Sequence, residues 1–184
     1  MQIMSGHSKW SQIKHKKAAA DERRGQLFSK LSRLIAVAAR EGGTDPSGNT
    51  KLREAIEKAK SLNMPSENIA RAMRRGTGEG ETKLEEFLYE AYGPGGVAML
   101  VLGITDNTNR SLGEIKHILN SHHGKLASPG SVLWAFDHVR GIWAPKKHLL
   151  VDLGPKDKDY FMQLLDALNN HDDVQNVFTN EKKT

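Results

Sequence analysis

Cysteine is absent from the 184 residues, which excludes disulfide staples, thiolate zinc sites and thiol nucleophiles and agrees with a reducing compartment. Long apolar runs are missing too. None approaches the roughly 20 residues that cross a bilayer, and Met1 to Trp10 lack the apolar stretch of a secretory signal, so the expectation is a cytoplasmic protein with no membrane partner. Catalytic constellations are equally wanting: no Ser-His-Asp order, glutamate pair or nucleophile elbow occurs in a supporting context. The chain is expected not to be an enzyme and to carry no catalytic residues and no cofactor. Gly76-Thr77-Gly78-Glu79-Gly80 has glycine spacing, but no apolar strand precedes it and no Lys-Ser/Thr pair follows, so it reads as a linker and not a phosphate loop. His117, His122 and His123 have no carboxylate at a ligand spacing beside them, and no metal is expected there.

What is present is an uneven charge. The formal net charge is +5, yet residues 1–76 hold 16 Lys+Arg against 7 Asp+Glu, whereas the remainder holds 11 against 15. A basic segment joined to an acidic one is the pattern of a polyanion-binding module beside a module with a different task, because attraction to phosphates scales with clustered cations. The length suits two small domains, and the boundary is expected at the glycine-rich linker, giving a basic helical domain over 1–78 and an acidic α/β domain over 79–184.

Leu27, Leu31, Leu34, Ile35 and Ala38 recur at helical spacing, and the helix is expected to end at Gly42-Gly43 before an Asp45-Pro46-Ser47-Gly48 turn. A second helix, capped by Asn49 or Thr50, buries Leu52, Ala55, Ile56 and Ala59. A third, capped by Ser66, buries Ile69, Ala72 and Met73. Beyond the linker the pattern shortens. Phe87–Tyr92, Val97–Ile104, Val132–Phe136, Ile142–Ala144, Leu149–Leu153 and Val174–Thr179 read as strands, with helices through Leu112–Leu119 and Tyr160–Leu168. The fold class is α+β: an N-terminal three-helix domain, then an α/β sandwich whose helices cover one face of a mainly antiparallel sheet. The polar run Thr105 to Arg110 reads either as a phosphate or substrate site or as a helix-capping turn, with Asn109 or Asp106 as cap.

The strongest functional candidate is the opening segment. Lys9, Lys14, Lys16 and Lys17 are suited to neutralising phosphates, Ser8, Ser11 and Gln12 to donating hydrogen bonds to a backbone, and Trp10 to stacking on an unpaired base, with His7 and His15 beside them. The alternative is that Trp10 packs as core and the lysines are solvated. Arg23 and Arg24 continue the basic character, and Arg71, Arg74 and Arg75 form a second cluster. Arg74 and Arg75 also suit the negative end of a helix dipole.

Gly6-His7-Ser8-Lys9-Trp10, Ile13-Lys14-His15-Lys16-Lys17-Ala18-Ala19, Ala38-Ala39-Arg40-Glu41-Gly42-Gly43 and Asn63-Met64-Pro65 resemble the YebC family of bacterial proteins and their organellar relatives. Arg75-Gly76-Thr77-Gly78, Tyr92 to Ala98, Thr105-Asp106-Asn107, Gly130-Ser131-Val132 and Asp172 to Val177 extend the likeness over nearly the whole chain. The resemblance implies a helical N-terminal domain followed by α/β domains, and a role as a DNA-binding transcriptional regulator or as a translation factor at the ribosome. It also implies that His7 to Lys17 is the contact surface. Members of that family usually carry an inserted third domain, where this sequence passes directly from Gly141-Ile142 through Pro145–Leu153 to its closing segment. The expected partner is therefore DNA or ribosomal RNA, with the ribosome as a further partner. A protein-docking module using its basic face only for electrostatic steering is the other class of reading. The sequence leaves the oligomeric state open.

Overall fold

The apolar stripe from Leu27 to Ala38 lies within a single helix, α1 (His7–Gly42), that begins twenty residues upstream of it. The structure, a computed structural model, describes residues 7–78, 83–139 and 141–182, and side chains from Lys17 onward apart from Ala19 and Arg140. The basic opening segment is thus the first half of α1. Its Ala, Lys, Arg and Gln residues have high helix propensity, which favours propagation of the helix from its packed half. Every described side chain from Lys17 to Arg24 is exposed.

The second half of α1 packs on two sides. Leu31, Ile35, Ala38 and Ala39 meet Leu52, Ala55, Ile56 and Ala59 of α2 (Thr50–Ser61) and Ile69 and Ala72 of α3 (Ser66–Gly76), with Met64 between them. Asn49 joins two of these helices: its Oδ1 accepts the Leu52 N–H at 3.0 Å, and its amide donates to the Ala38 and Gly43 carbonyls at 2.7 and 2.9 Å. Ser66 does not cap α3. The helix starts at that residue, after Pro65, with no side-chain cap. Gly76 closes α3 against α1, where an added Cβ would collide with the Ala36 carbonyl and lie 2.9 Å from the Ala39 Cβ. Gly76→Ala is expected to cost about 1–3 kcal/mol by overpacking and to lower the melting temperature by several degrees. An unchanged melting curve would show that the helices separate freely.

The sheet runs β3-β1-β2-β6 and its described pairings are antiparallel: β1 (Glu85–Tyr92), β2 (Ala98–Thr105), β3 (Lys125–Leu126) and β6 (Val174–Thr179). Strand β2 is buried on both faces. Met99 and Val101 face α4 (Thr108–Ser121) and α5 (Pro155–Asn169) through Ile115, Leu119, Phe161, Leu164 and Leu168. On its other face, Ala98 and Leu100 meet Val132, Ala135 and Phe136, while Ile104 meets Ala36 and Val37 of α1. The second half of α1 therefore lies between two helices and a sheet.

Two expected strands take other forms. Val132–Phe136 is mostly a 3-10 turn (Leu133–Ala135) leading into β4 (Phe136–Val139), which pairs with β5 (Ile142–Pro145) as a separate hairpin. In that turn the Glu90 carboxylate accepts the N–H groups of Gly130, Val132 and Leu133, so the loop backbone is satisfied without a strand partner. Leu149–Leu153 has a single bridge, Val151 to Glu181, after a 3-10 turn over Lys147–Leu149. Among the described residues, no helix is long and apolar enough to cross a membrane.

Candidate nucleic-acid interface

Residues His7 to Lys16 lie on α1, but their side chains stand outside the described residues, so the contact roles expected of His7, Ser8, Lys9, Trp10, Lys14, His15 and Lys16 rest on backbone position alone. At about 100° per residue, Lys9, Lys16 and Arg23 recur every seventh position along one stripe, with Arg24 on the adjoining side. Lys14 lies on a different side of the helix from Lys16. Asp21 shares that other side and falls one turn after Lys17, so the stripe through Lys16 and Arg23 is the part of the helix clear of acidic residues. Lys17, Arg23 and Arg24 are all exposed.

The second basic cluster is elsewhere. Arg71, Arg74 and Arg75 are exposed on α3, whose last residue abuts Ala36 and Ala39. Arg71 pairs with Glu67 at 3.4 Å across one turn. Along α1, Ala36 lies about 28 Å beyond Lys17 and about 18 Å beyond Arg24, so the end of α3 that follows Arg74 and Arg75 meets the helix well past the first cluster.

Three other cations of α1 are consumed internally, which sequence reading did not anticipate. Lys30 Nζ donates to the Asn169 carbonyl at 2.6 Å, Arg33 donates to the Asp172 carbonyl, and Arg40 donates to the Leu84 carbonyl. Burial lowers the Lys30 pKa, with Asp172 opposing that shift and Arg33 adding to it. In return, Gln175 donates to the Lys30 carbonyl at 3.2 Å.

Asp173, 2% exposed, is the centre of this junction. Its carboxylate meets Arg33 at 3.1 Å, Arg110 at 2.8 Å, the Ser111 hydroxyl at 2.5 Å and the Thr105 hydroxyl at 3.0 Å. Burial alone would raise its pKa. The bonds from Ser111, Arg110 and Thr105, with the charge of Arg33, outweigh burial and hold it below the ordinary carboxylate range. Thr105-Asp106-Asn107 is accordingly a capping turn, but the cap is Asn107, which accepts the Arg110 N–H at 3.0 Å, and neither Asn109 nor Asp106.

A cleft of about 620 Å³ opens over this network between α1, α4 and the loop before β6. Glu114, His171 and Asp173 bring ligand-type atoms within 4.8 Å of one another there. They do not fit a metal ion. His171 is held between the Glu114 carboxylate at 2.9 Å and the Asp173 N–H at 3.2 Å, and Asp173 is saturated by two arginines and two hydroxyls. Of the histidines considered in the sequence, His122 bonds the Ile118 carbonyl at 2.9 Å, His123 rests on Tyr160 with ring centroids 4.2 Å apart, and His117 lines the cleft. They do not converge.

Residues 8–79 match the family described as the TACO1/YebC protein N-terminal domain, and residues 84–153 match that described as the TACO1/YebC second and third domain. A protein of Thermoanaerobacter pseudethanolicus named "probable transcriptional regulatory protein" is 40% identical over 237 positions, covering 96% of each chain. That alignment is longer than the 184 residues here, so the relative has residues with no counterpart in this chain. A protein of the same name from Halothermothrix orenii is 54% identical over 166 positions, 90% of this chain but 63% of its own length. Among solved structures, a conserved hypothetical protein of Aquifex aeolicus superposes with a TM-score of 0.80 at 33% identity, covering 87% of this chain and 90% of that one.

Proposed function

The chain belongs to the TACO1/YebC family, and from that membership and the charge of its first helix we propose that it is a nucleic-acid-binding regulatory protein acting in transcription. The observation that carries this reading is the first half of α1, whose described cations Lys17, Arg23 and Arg24 are exposed while Lys30, Arg33 and Arg40 are engaged within the fold. Residues 1–78 are the binding domain, with the face of His7 to Arg24 that carries Lys9, Lys16 and Arg23, bordered by Lys17 and Arg24, as the primary contact, Lys14 on the other side of the helix as a lesser one, and Arg71, Arg74 and Arg75 as a second cluster. Residues 79–184 are the acidic domain that holds the helix in place. The chain performs no chemical step and needs no cofactor.

Geometry favours duplex DNA as the target of the helix. With side chains an α-helix is about 10–12 Å across, the width of the B-form major groove, whereas the A-form groove of RNA is too narrow to admit it. The relatives named for transcription point the same way.

Titrating salt tests the reading. Each phosphate neutralised contributes about −0.9 to the slope of log affinity against log salt, so four or five engaged cations predict a slope of roughly −4. A flat response would assign the basic face to protein docking instead. Crosslinking in cells then separates the regulatory classes: recovered promoter DNA supports transcription, and recovered ribosomal RNA would reassign the protein to translation.

A further inference from the structure

The acidic half of the chain contains a basic island. Residues 125–148 hold Lys125, Arg140, Lys146 and Lys147 against Asp137 alone, with two of the chain's three tryptophans, while the rest of residues 77–184 holds seven cations against fourteen acids. In the fold this island is strand β3, the 3-10 turn Leu133–Ala135 and the β4-β5 hairpin.

Trp134 is 53% exposed although Val132, Ala135 and Phe136 around it are buried, so it is not a core residue. Its ring is nonetheless fixed. The indole N–H donates to the Ser131 carbonyl at 2.6 Å, and the same carbonyl accepts the Tyr92 hydroxyl at 2.8 Å. Beneath the loop, Glu90, 5% exposed, gathers the N–H groups of Gly130, Val132 and Leu133. With its one donor satisfied internally, the indole offers a partner only its π face. The Lys146 N–H donates to the Ala135 carbonyl at 2.9 Å, which holds the Lys146 backbone against the residue that follows Trp134, with exposed Lys147 next in the chain, and Lys125 Nζ lies 5.8 Å from the Tyr92 ring centroid.

We propose that Trp134, with Lys146 and Lys147, is a second contact of this chain: a preorganised stacking platform for an unpaired base of a single-stranded nucleic acid. The inference rests on the reading that the ligand is nucleic acid, and adds a single-strand site to the duplex contact of α1. An exposed aromatic face on a basic stretch of chain matches a base and its phosphates. Protein interfaces, by contrast, are depleted in lysine.

Binding of labelled oligonucleotides of one sequence, as single-stranded RNA, single-stranded DNA and duplex DNA, tests it in the full chain. Trp134→Ala is expected to weaken single-strand binding about ten-fold and duplex binding less than about two-fold, with Trp134→Phe restoring most of the loss. Lys146→Glu with Lys147→Glu should weaken single-strand binding and make its salt slope shallower by about two. Stacking should also quench Trp134 fluorescence, comparing wild type with Trp134→Phe. The RNA or DNA arm with the larger loss identifies the strand. Should Trp134→Ala unfold, the phenylalanine variant and the lysine pair decide. Wild-type affinity in these variants, beside weakened binding by Lys16→Glu with Arg23→Glu, would overturn the platform and leave the helix contact standing; it would also reassign the ring to a protein partner. No binding by the wild type at low salt would overturn both.

Discussion

Replacing Asp173 with alanine is expected to destabilise the fold by about 3 kcal/mol, lowering the melting temperature by roughly 6–12 °C for a chain of this size. The substitution removes a partner shared by two arginines and two hydroxyls, leaving Arg33 the Asp172 carbonyl, Arg110 the Asp106 and Glu114 carboxylates, and the Thr105 and Ser111 hydroxyls each other and the Asn107 carbonyl. Arg33 keeps only 15% of its side chain exposed, and Thr105 and Ser111 are fully buried, so their lost partner is not replaced by bulk water. Arg110 is 42% exposed and partly screened, which places the estimate at the low end of the range for a broken buried pair. Asp173→Asn should cost less, because the amide oxygen can still accept from Ser111. The loss should also appear as faster proteolysis between the helices and the sheet, since Arg33 links α1 to the β6 loop. The pH dependence has a definite sign. A carboxylate whose folded pKa lies below its unfolded value of about 3.9 stabilises fully above that value and loses the contribution as pH falls through the folded one. The gap between wild type and Asp173→Ala should therefore be widest above about pH 5 and shrink in acid. A constant gap from pH 3 to pH 6 would remove Asp173 from the role given to it.

This junction also marks where sequence reading stopped. The helices were legible because each buries one apolar face at helical spacing, and β2 was legible because burial on both sides makes it a continuous apolar run. Short apolar runs were ambiguous for a physical reason. Val132–Phe136 winds into a turn because Glu90, forty-two positions before Val132, captures its N–H groups, and nothing local announces that. Strand β3 has two residues, too few for any period. Asn107 takes the cap because strand β2 ends at Thr105 and leaves Asn107 extended, a choice invisible among three neighbouring candidates. The cations were the hardest to sort. Lys30 and Arg33 look like Arg23 and Arg24 in sequence, and only partners 139 residues away along the chain distinguish an interior anchor from a free surface charge.

Lys16→Glu combined with Arg23→Glu is expected to weaken duplex DNA binding about 10–100-fold and to make the salt slope shallower by about two. Both positions lie on the stripe that recurs every seventh residue, on the part of α1 that precedes Phe28, the first core-packed residue among the described side chains. Charge reversal there adds repulsion to the lost attraction, while the core is untouched, so the melting temperature should move by less than about 2 °C. Lys14→Glu is the internal control. It lies on the other side of the helix, the side that carries Asp21 two turns later, and should change affinity less than about three-fold. If a single helical face enters the groove, the double variant and the control must separate widely, although Lys14 and Lys16 are two residues apart. Equal losses from Lys14→Glu and Lys16→Glu alone would mean that total charge and not a face of α1 governs binding, and the helix-in-groove geometry would have to be given up.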